Sequence, residues 1–537
     1  MFSAEASNES EMRRQLFGEY IACMIRGVNI ADKSQQSSWI EETGLPIIAN
    51  IAYGKNSSYT PPISEKTRIR FRNCLMSVIT HTLSDSEGFS YSCRLLLSFT
   101  PDAVPMDESI AKVKDDALSN MGKLLRKGKL ENVEQKPLRQ AMALLYSLVI
   151  IQLYNGEPDA VSVLQELKLC HDTLFKNNEA KHSNIDASEV LVELLLSFIS
   201  KPSALLRKAT QHVFPAFMGR VTAGGLKLMT DILDSSEGLR GQQELFDHES
   251  DYGERVDDTF DEDIDSDVEV VDMDGEEGYF KGHLEPSSEE GSESESDASE
   301  SGPEEDDEDE ALNTALAQVL GTRTLDQDTE DKESDSDADM TDSEMMALDS
   351  KLVEIFAQRK RIPNKRKEQK DAKETMVNFK SRVLDLLEIY IKNQAAHRLA
   401  FSLLLPLLRL IRTTKTKPLA DKAFSIIQMF FKSFKATKRP DSSTLVSSSE
   451  TTIPDHLELL KNIHLEVSKD PSHMFAKAAS TASLLVASSL YHADKESVQE
   501  IATVYRDSQI RWVRGEVRIQ TSFFVEWINW CQSLARL

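Results

Sequence analysis

Cysteine is scarce and unpatterned. Cys23, Cys74, Cys93, Cys170 and Cys531 share no repeated short spacing, which excludes a disulfide framework and a structural zinc site and leaves reduced thiols as the expectation. Long apolar runs are missing as well. The two most apolar windows, 141–153 and 399–411, are too short for the roughly 20 residues a bilayer requires, so they read as buried helices and no membrane contact is expected. The opening residues Met1 to Glu9 have neither the basic start nor the apolar core of a secretory leader, which points to a protein that stays inside the cell. Motifs of catalysis are absent too: there is no GxxxxGK[ST] loop, no GxGxxG after a strand, no HExxH and no GxSxG elbow. Nothing in the chain asks for a cofactor or a metal. Asp335, Asp337 and Asp339 alternate like metal ligands, but in a polyanionic stretch nothing fixes their geometry. Cys170 and His171 are adjacent on an expected helix, so their side chains diverge.

What the chain has instead is a partition of charge. Residues 247–344 carry forty carboxylates against four basic side chains (Arg255, Lys281, Arg323, Lys332), a net charge of about −36 within a chain of −27. The remainder is therefore about +9. Burial in such a tract cannot offset roughly 1 to 2 kcal/mol of backbone entropy per residue, and its like charges repel, so disorder is the expectation there. Ala311 to Leu320 is a short apolar exception that suits helix formation on a partner.

On either side, apolar periodicity is helical. The run from Leu138 to Tyr154 stops at Asn155-Gly156, and Pro158 then sits where a new helix tolerates it. Asp186 and Glu189 have capping-box spacing ahead of a helix that breaks at Lys201-Pro202. Helices are expected over Ser203–Phe217, with Pro215 inside as a kink, and over Leu226–Leu233. Past the tract, Phe379, Val383, Leu386, Leu387 and Tyr390 form one face, and Leu419, Ala423, Ile426, Phe430 and Phe434 another, with Pro406 as a second kink in a helical run. Asp494–Tyr505 and Val517–Leu534 complete the set, and the stripe Phe523, Trp527 and Trp530 reads as core. The fold class is thus all-α, with irregular armadillo/HEAT-like helical repeats in two blocks. The boundaries are 1–246 for the first block, 247–344 for the acidic linker, 345–375 for a basic helix and 376–537 for the second block.

Region 359–439 holds twenty-one Lys or Arg against six acids. Arg359, Lys360, Arg361, Lys365, Arg366 and Lys367 lie within nine residues and fit a nuclear import signal read by an import receptor, or a phosphate-binding patch; a solvated face balanced by the acid tract is the plainer alternative. Candidate phosphate contacts continue through Lys370, Lys373, Lys380, Arg382, Arg412, Lys415 and Lys417. Ser292, Ser294, Ser334, Ser336 and Thr341 each have an acid three positions on, the pattern of an acid-directed kinase, although any serine in such a tract tends to match. The tract itself suits basic partners such as histones or ribosomal proteins.

Several strings resemble the DNA polymerase phi family, related to Myb-binding protein 1a. They are Met345-Met346-Ala347-Leu348-Asp349, the run Asp371 to Lys380 (DAKETMVNFK), Leu405 to Arg412 (LPLLRLIR), Leu205-Leu206-Arg207-Lys208-Ala209, and Gly241 to Asp247 (GQQELFD). The similarity covers about 138–435, and the order of helical block, acid tract, basic helix and second block matches as well. The resemblance implies a nuclear, nucleolar protein that associates with ribosomal DNA, possessing an armadillo-like fold, and supports ribosomal RNA synthesis and ribosome biogenesis. It also implies a match to the C-terminal half of longer family members. The expected function is a non-enzymatic scaffold binding ribosomal DNA, and RNA as a second polyanion, through the basic helical region. Two alternatives stand beside it: a DNA-directed DNA polymerase, as the family name suggests, and a carrier of histones or ribosomal proteins. No YGDTDS-like or DxxSLYP-like segment carrying metal-binding aspartates is present.

Overall fold

The computed structural model describes residues 8–27, 39–54, 62–83, 88–99, 104, 106–126, 135–175, 187–246, 369–436 and 452–535. Among them there are eighteen helices and no strand, the all-α class expected from the periodicity. The chain divides into two units. One joins residues 1–245 with 372–537, and the other runs from 246 to 371, nearly all of it outside the described residues. The helical blocks on the two sides of the acid tract, separate in sequence, therefore share one compact unit.

The centre of the first block is the helix Lys136–Asn155, in which every side chain from Ala141 to Tyr154 is buried. It packs against the helices Phe89–Ser98, Glu108–Leu125, Ala160–Phe175 and Ala204–Val213. It ends where the sequence says it should: Gly156 takes φ 85°, and the N–H groups of Gly156 and Glu157 turn back to Leu153 and Gln152 carbonyls. Side-chain hydroxyls start other helices. Ser64, Ser203, Thr222 and Ser472 each accept the backbone N–H three residues on, a contact worth about 1 kcal/mol.

Three local expectations change. Glu189, expected to cap its own helix, accepts a hydrogen bond at 2.8 Å from the hydroxyl of Thr222, itself the cap of Ala223–Asp234, while Asp186 lies outside the described residues. Pro215 does not kink a helix through to Phe217. The α-helix stops at Val213, and Pro215 enters a 3-10 turn, Phe214–Ala216, in whose first residues a missing N–H costs nothing. Pro406 likewise falls in the first turn of Leu404–Thr413, after the 3-10 segment Arg398–Leu403, where the amide would be unpaired anyway. The faces of the second block are as expected. Phe379, Val383, Leu386, Leu387, Tyr390, Leu419, Ala423, Ile426, Phe430 and Phe434 are all buried. Phe523 and Trp527 are buried, and Tyr505 stacks on Trp527 with centroids 4.0 Å apart.

Two basic side chains on the 369–394 helix join the blocks. Lys380, only 2% exposed, donates at 2.6 Å to the Ser235 carbonyl, immediately past Ala223–Asp234, with Glu237 Oε1 at 3.9 Å. Arg382 donates to the carbonyls of Ile199 at 2.8 Å and Lys201 at 3.1 Å, at the end of Ala187–Ser200. Both cations thus sit on the negative ends of helix dipoles and satisfy carbonyls that the helices leave unpaired. Ala223–Asp234 also packs against Leu404–Thr413. Arg68 does the same within the first block, donating to the carbonyls of Ile51, Ala52 and Gly54 around the end of Leu45–Tyr53.

A second buried polar cluster holds the second block. His464, 4% exposed, lies 2.7 Å from Ser508 Oγ through Nδ1 and 3.1 Å from Ser483 Oγ through Nε2, and Ser483 Oγ is 2.6 Å from the Tyr505 hydroxyl. Burial drives the imidazole down to about 3, so it is neutral in the fold.

Lys380→Met leaves the Ser235 carbonyl and Glu237 without their cation and should cost about 2–4 kcal/mol in urea unfolding, whereas Lys373→Met, on the exposed side of the same helix, should stay within about 0.5 kcal/mol. Equal midpoints for the two variants would contradict the joint. As pH falls below about 6.5, the unfolded chain protonates His464 while the folded chain does not until about 3, so stability is full above that window and lost through it. The folding constant should fall up to about tenfold per pH unit from this residue. His464→Asn, which keeps two polar contacts without taking up a proton, should flatten the loss of urea midpoint between pH 6 and 4.5; parallel curves would refute the assignment.

Candidate nucleic-acid interface

The structure separates the expected phosphate contacts into spent and unspent cations. Lys380 is a correction: a buried ammonium bonded to a carbonyl cannot reach a phosphate, and burial pulls its pKa down. Arg382 is a second correction, since its guanidinium is committed to two carbonyls in the joint. Lys370, Lys373, Lys415 and Lys417 are exposed, the first two in the opening turns of the 369–394 helix. The two long helices of this region run side by side, because Lys422 of Lys417–Ala436 donates to Ser381 O at 2.8 Å and meets Asp385 at 2.6 Å, while Phe401, past the end of the first helix, packs on Phe430 and Phe434. The direction is parallel, so Lys373 and Lys417 lie toward the same end of the pair. Asp371, Glu374 and Asp421 are exposed carboxylates of that end.

Arg412 belongs to a cluster that the sequence reading does not assemble. The buried carboxylate of Glu466 has three cations around it: Lys469 Nζ at 2.6 Å, Arg412 Nε at 3.4 Å and Arg409 Nε at 3.8 Å. Arg409 also lies 3.6 Å from Asp234, whose carboxyl burial pushes up against the opposing pull of that guanidinium. Lys469 is hydrogen-bonded, the Arg409 contact is longer than a hydrogen bond, and Arg412 Nε is buried and makes none. The two arginine side chains, 45% and 30% exposed, are therefore held by charge at the surface, where guanidiniums can meet a phosphate. Arg409 and Arg412 are three apart on one helix and so share a face, a signal that the spacing alone contains. Glu466 and Lys469, more than fifty residues further on, have no such signal. Continuing along the chain from Arg412, Lys415 and Lys417 extend the basic surface past the end of Leu404–Thr413.

The import cluster Arg359, Lys360, Arg361, Lys365, Arg366 and Lys367 lies outside the described residues, as do the acid tract and Ser292, Ser294, Ser334, Ser336 and Thr341. Among the described residues, no group of three or more His, Cys, Asp or Glu is placed to hold a metal, and no helix is long and apolar enough to cross a membrane. All five cysteines are free thiols, and burial pushes Cys93 up to about 12 and Cys170 up to about 11, so neither is a thiolate at neutral pH. The Ser508–His464–Ser483 contact has the elements of a nucleophile and base, but it is sealed in the core. A cleft of about 610 Å³ lies between Tyr53, Arg72 and Tyr154. Its arginines are engaged, Arg68 with three carbonyls and Arg72 with Glu65 at 3.1 Å.

Comparison with known proteins agrees with the strings noted in the sequence and extends their reach. The chain is 29% identical to the rDNA transcriptional regulator pol5 of Schizosaccharomyces pombe, over 97% of this chain and 53% of that protein. It is 28% identical to the rDNA transcriptional regulator POL5 of Saccharomyces cerevisiae, over 80% of this chain and 43% of that protein. Human Myb-binding protein 1A is 32% identical over 50% of this chain and 20% of its own length. The chain thus spans about half the length of the yeast relatives it matches. No solved structure matches it. The sequence profile described as DNA polymerase phi matches residues 1–391, reaching well before the 138–435 stretch in which the resemblance is plain by eye, and by that match the chain belongs to the DNA polymerase phi family.

Proposed function

We propose that this chain is a non-enzymatic scaffold of ribosomal RNA gene transcription, acting in the nucleolus and supporting ribosome biogenesis. The support from relatives is that two of them are named as rDNA transcriptional regulators. The observation that carries the molecular part is the cluster on Glu466: Arg409, Arg412 and Lys469 gathered around one buried carboxylate, with Lys415 and Lys417 exposed three and five residues on from Arg412. Such a surface contacts the phosphate backbone of ribosomal DNA, or RNA, without reading base sequence. The polyanionic stretch 247–344 takes the complementary role and receives basic proteins such as histones or ribosomal proteins. Residues 359–367 supply the signal for an import receptor.

Lys415→Gln with Lys417→Gln removes two exposed contacts and leaves the joint between the blocks untouched. Binding should weaken by the same factor on ribosomal and unrelated duplexes, and the slope of log affinity against log salt should become shallower by roughly two. An unchanged slope, or no binding by the intact chain even at low salt, would remove this interface. The family name raises template-directed synthesis as the rival. Primer extension with the purified chain and Mg²⁺ separates the readings: the scaffold incorporates no nucleotide, and template-dependent incorporation would replace the proposal with an enzyme.

A further inference from the structure

The helices of the second block bring several of their ends to one place. Thr452–Val467 runs antiparallel to His473–Ala493, since His464 Nε2 meets Ser483 Oγ at 3.1 Å and His456 Nδ1 meets Ser489 Oγ at 3.5 Å. Val498–Val513 returns along the same partner, with the Tyr505 hydroxyl 2.6 Å from Ser483 Oγ and Ser508 Oγ 2.7 Å from His464 Nδ1. Two helices antiparallel to a third point the same way, so Val467 and Val513 close at the end where His473 opens. Beyond them the connecting turns are tied together: Gln520, one residue ahead of Thr521–Ala535, donates to the Pro471 carbonyl at 2.6 Å. Leu404–Thr413 packs on Thr452–Val467 as well, and its Arg412 meets Glu466 in the last turn of that helix.

We infer that, resting on the phosphate-binding role proposed for the Glu466 cluster, the nucleic-acid surface continues across this end onto the turn between Val498–Val513 and Thr521–Ala535, where Arg511, Arg514 and Arg518 are further phosphate contacts. The tie at Pro471 sets the placement. Lys469 lies two residues before Pro471 and Arg518 two residues before Gln520, so the turn stands beside the cluster. Arg511 and Arg514, 43% and 69% exposed, share the carboxylate of Glu516 at 3.7 and 3.8 Å, both longer than a hydrogen bond, and Arg518 is exposed. Ion pairs this open contribute at most about 1 kcal/mol, so a phosphate displaces Glu516 at little cost. The nearby Asp470 is engaged with the Ser472 N–H at 2.8 Å. The turn itself is fixed: Gly515 takes φ 72°, and the Glu516 N–H bonds back to the Arg511 carbonyl at 3.0 Å. A helix dipole accounts for Arg511 in the last turn and Arg514 at the cap, but not for Arg518, which stands between the helices. Thr452–Val467 packs against both Leu404–Thr413 and Val498–Val513. At about 8–10 Å per helix pair, Arg412 and Arg514 are on the order of 20 Å apart, about six base pairs along a duplex, which suits an extended polyanion over a free phosphate.

Titration of the full chain onto a labelled DNA duplex over a range of salt tests this, with Arg514→Gln plus Arg518→Gln beside the intact protein. The expected result is an unchanged thermal melt, a slope of log affinity against log salt shallower by roughly two, and recovery of the slope in Arg514→Lys with Arg518→Lys, which restores the charge. Equal losses in the Gln and Lys variants would mark a structural role and overturn the proposal. Absence of binding by the intact chain at low salt removes the whole interface. A slope that Lys415→Gln with Lys417→Gln reduces but Arg514→Gln with Arg518→Gln leaves alone removes only the extension. If that last pair spares DNA binding yet abolishes binding of polyglutamate, the turn serves an acidic protein segment and the nucleic-acid assignment is overturned.

Discussion

The structure depends on two cations meeting the carbonyl ends of two helices across a gap of well over a hundred residues. Lys380 and Arg382 are one turn apart at most on a single helix, yet they close Ala223–Asp234 and Ala187–Ser200 respectively. A helix end buried without partners would leave unpaired acceptors at a cost of about 1–3 kcal/mol each, and an ammonium buried without partners would cost more. Each side solves the other's problem. The apolar packing of Ala223–Asp234 on Leu404–Thr413 then follows along the same line of contact. Arg68 at the end of Leu45–Tyr53 shows the same solution within one block.

That arrangement changes how a basic region should be understood. Total positive charge between 359 and 439 suggests one nucleic-acid surface, but the fold divides it by exposure. Lys380 and Arg382 hold architecture, Arg409 and Arg412 are arranged around Glu466, and Lys373, Lys415 and Lys417 face solvent. The buried carboxylate matters most in this division. Without Glu466 the two guanidiniums and Lys469 would repel one another; with it they are gathered into a surface that still carries net positive charge.

Much of the fold was legible because it is written locally. The helix around 138–154 declares itself by continuous apolar residues and its Asn155-Gly156 stop, and the stripes at Phe379–Tyr390 and Leu419–Phe434 declare which sides are buried. Pro215 and Pro406 misled because periodicity does not mark where a first turn begins, and both prolines sit in first turns. The site was legible only as charge. Nothing local distinguishes Lys373 from Lys380, which lie on the same helix with opposite fates, since the difference is made by the carbonyl of Ser235, 145 residues away. Glu466 was invisible for the same reason.

Because residues 1–245 and 372–537 form one unit, everything from 246 to 371 is an insertion into a single folding body. Chain closure grows only logarithmically with length, about 0.6 kcal/mol per doubling, so such an insertion can lengthen or shorten over evolution at little thermodynamic expense. Time is the dearer quantity. At about 5–20 residues per second, the ribosome has released the first block on the order of ten seconds before Lys380 and Arg382 emerge to close its two helices. During synthesis the early half of this protein therefore waits with its helix ends open.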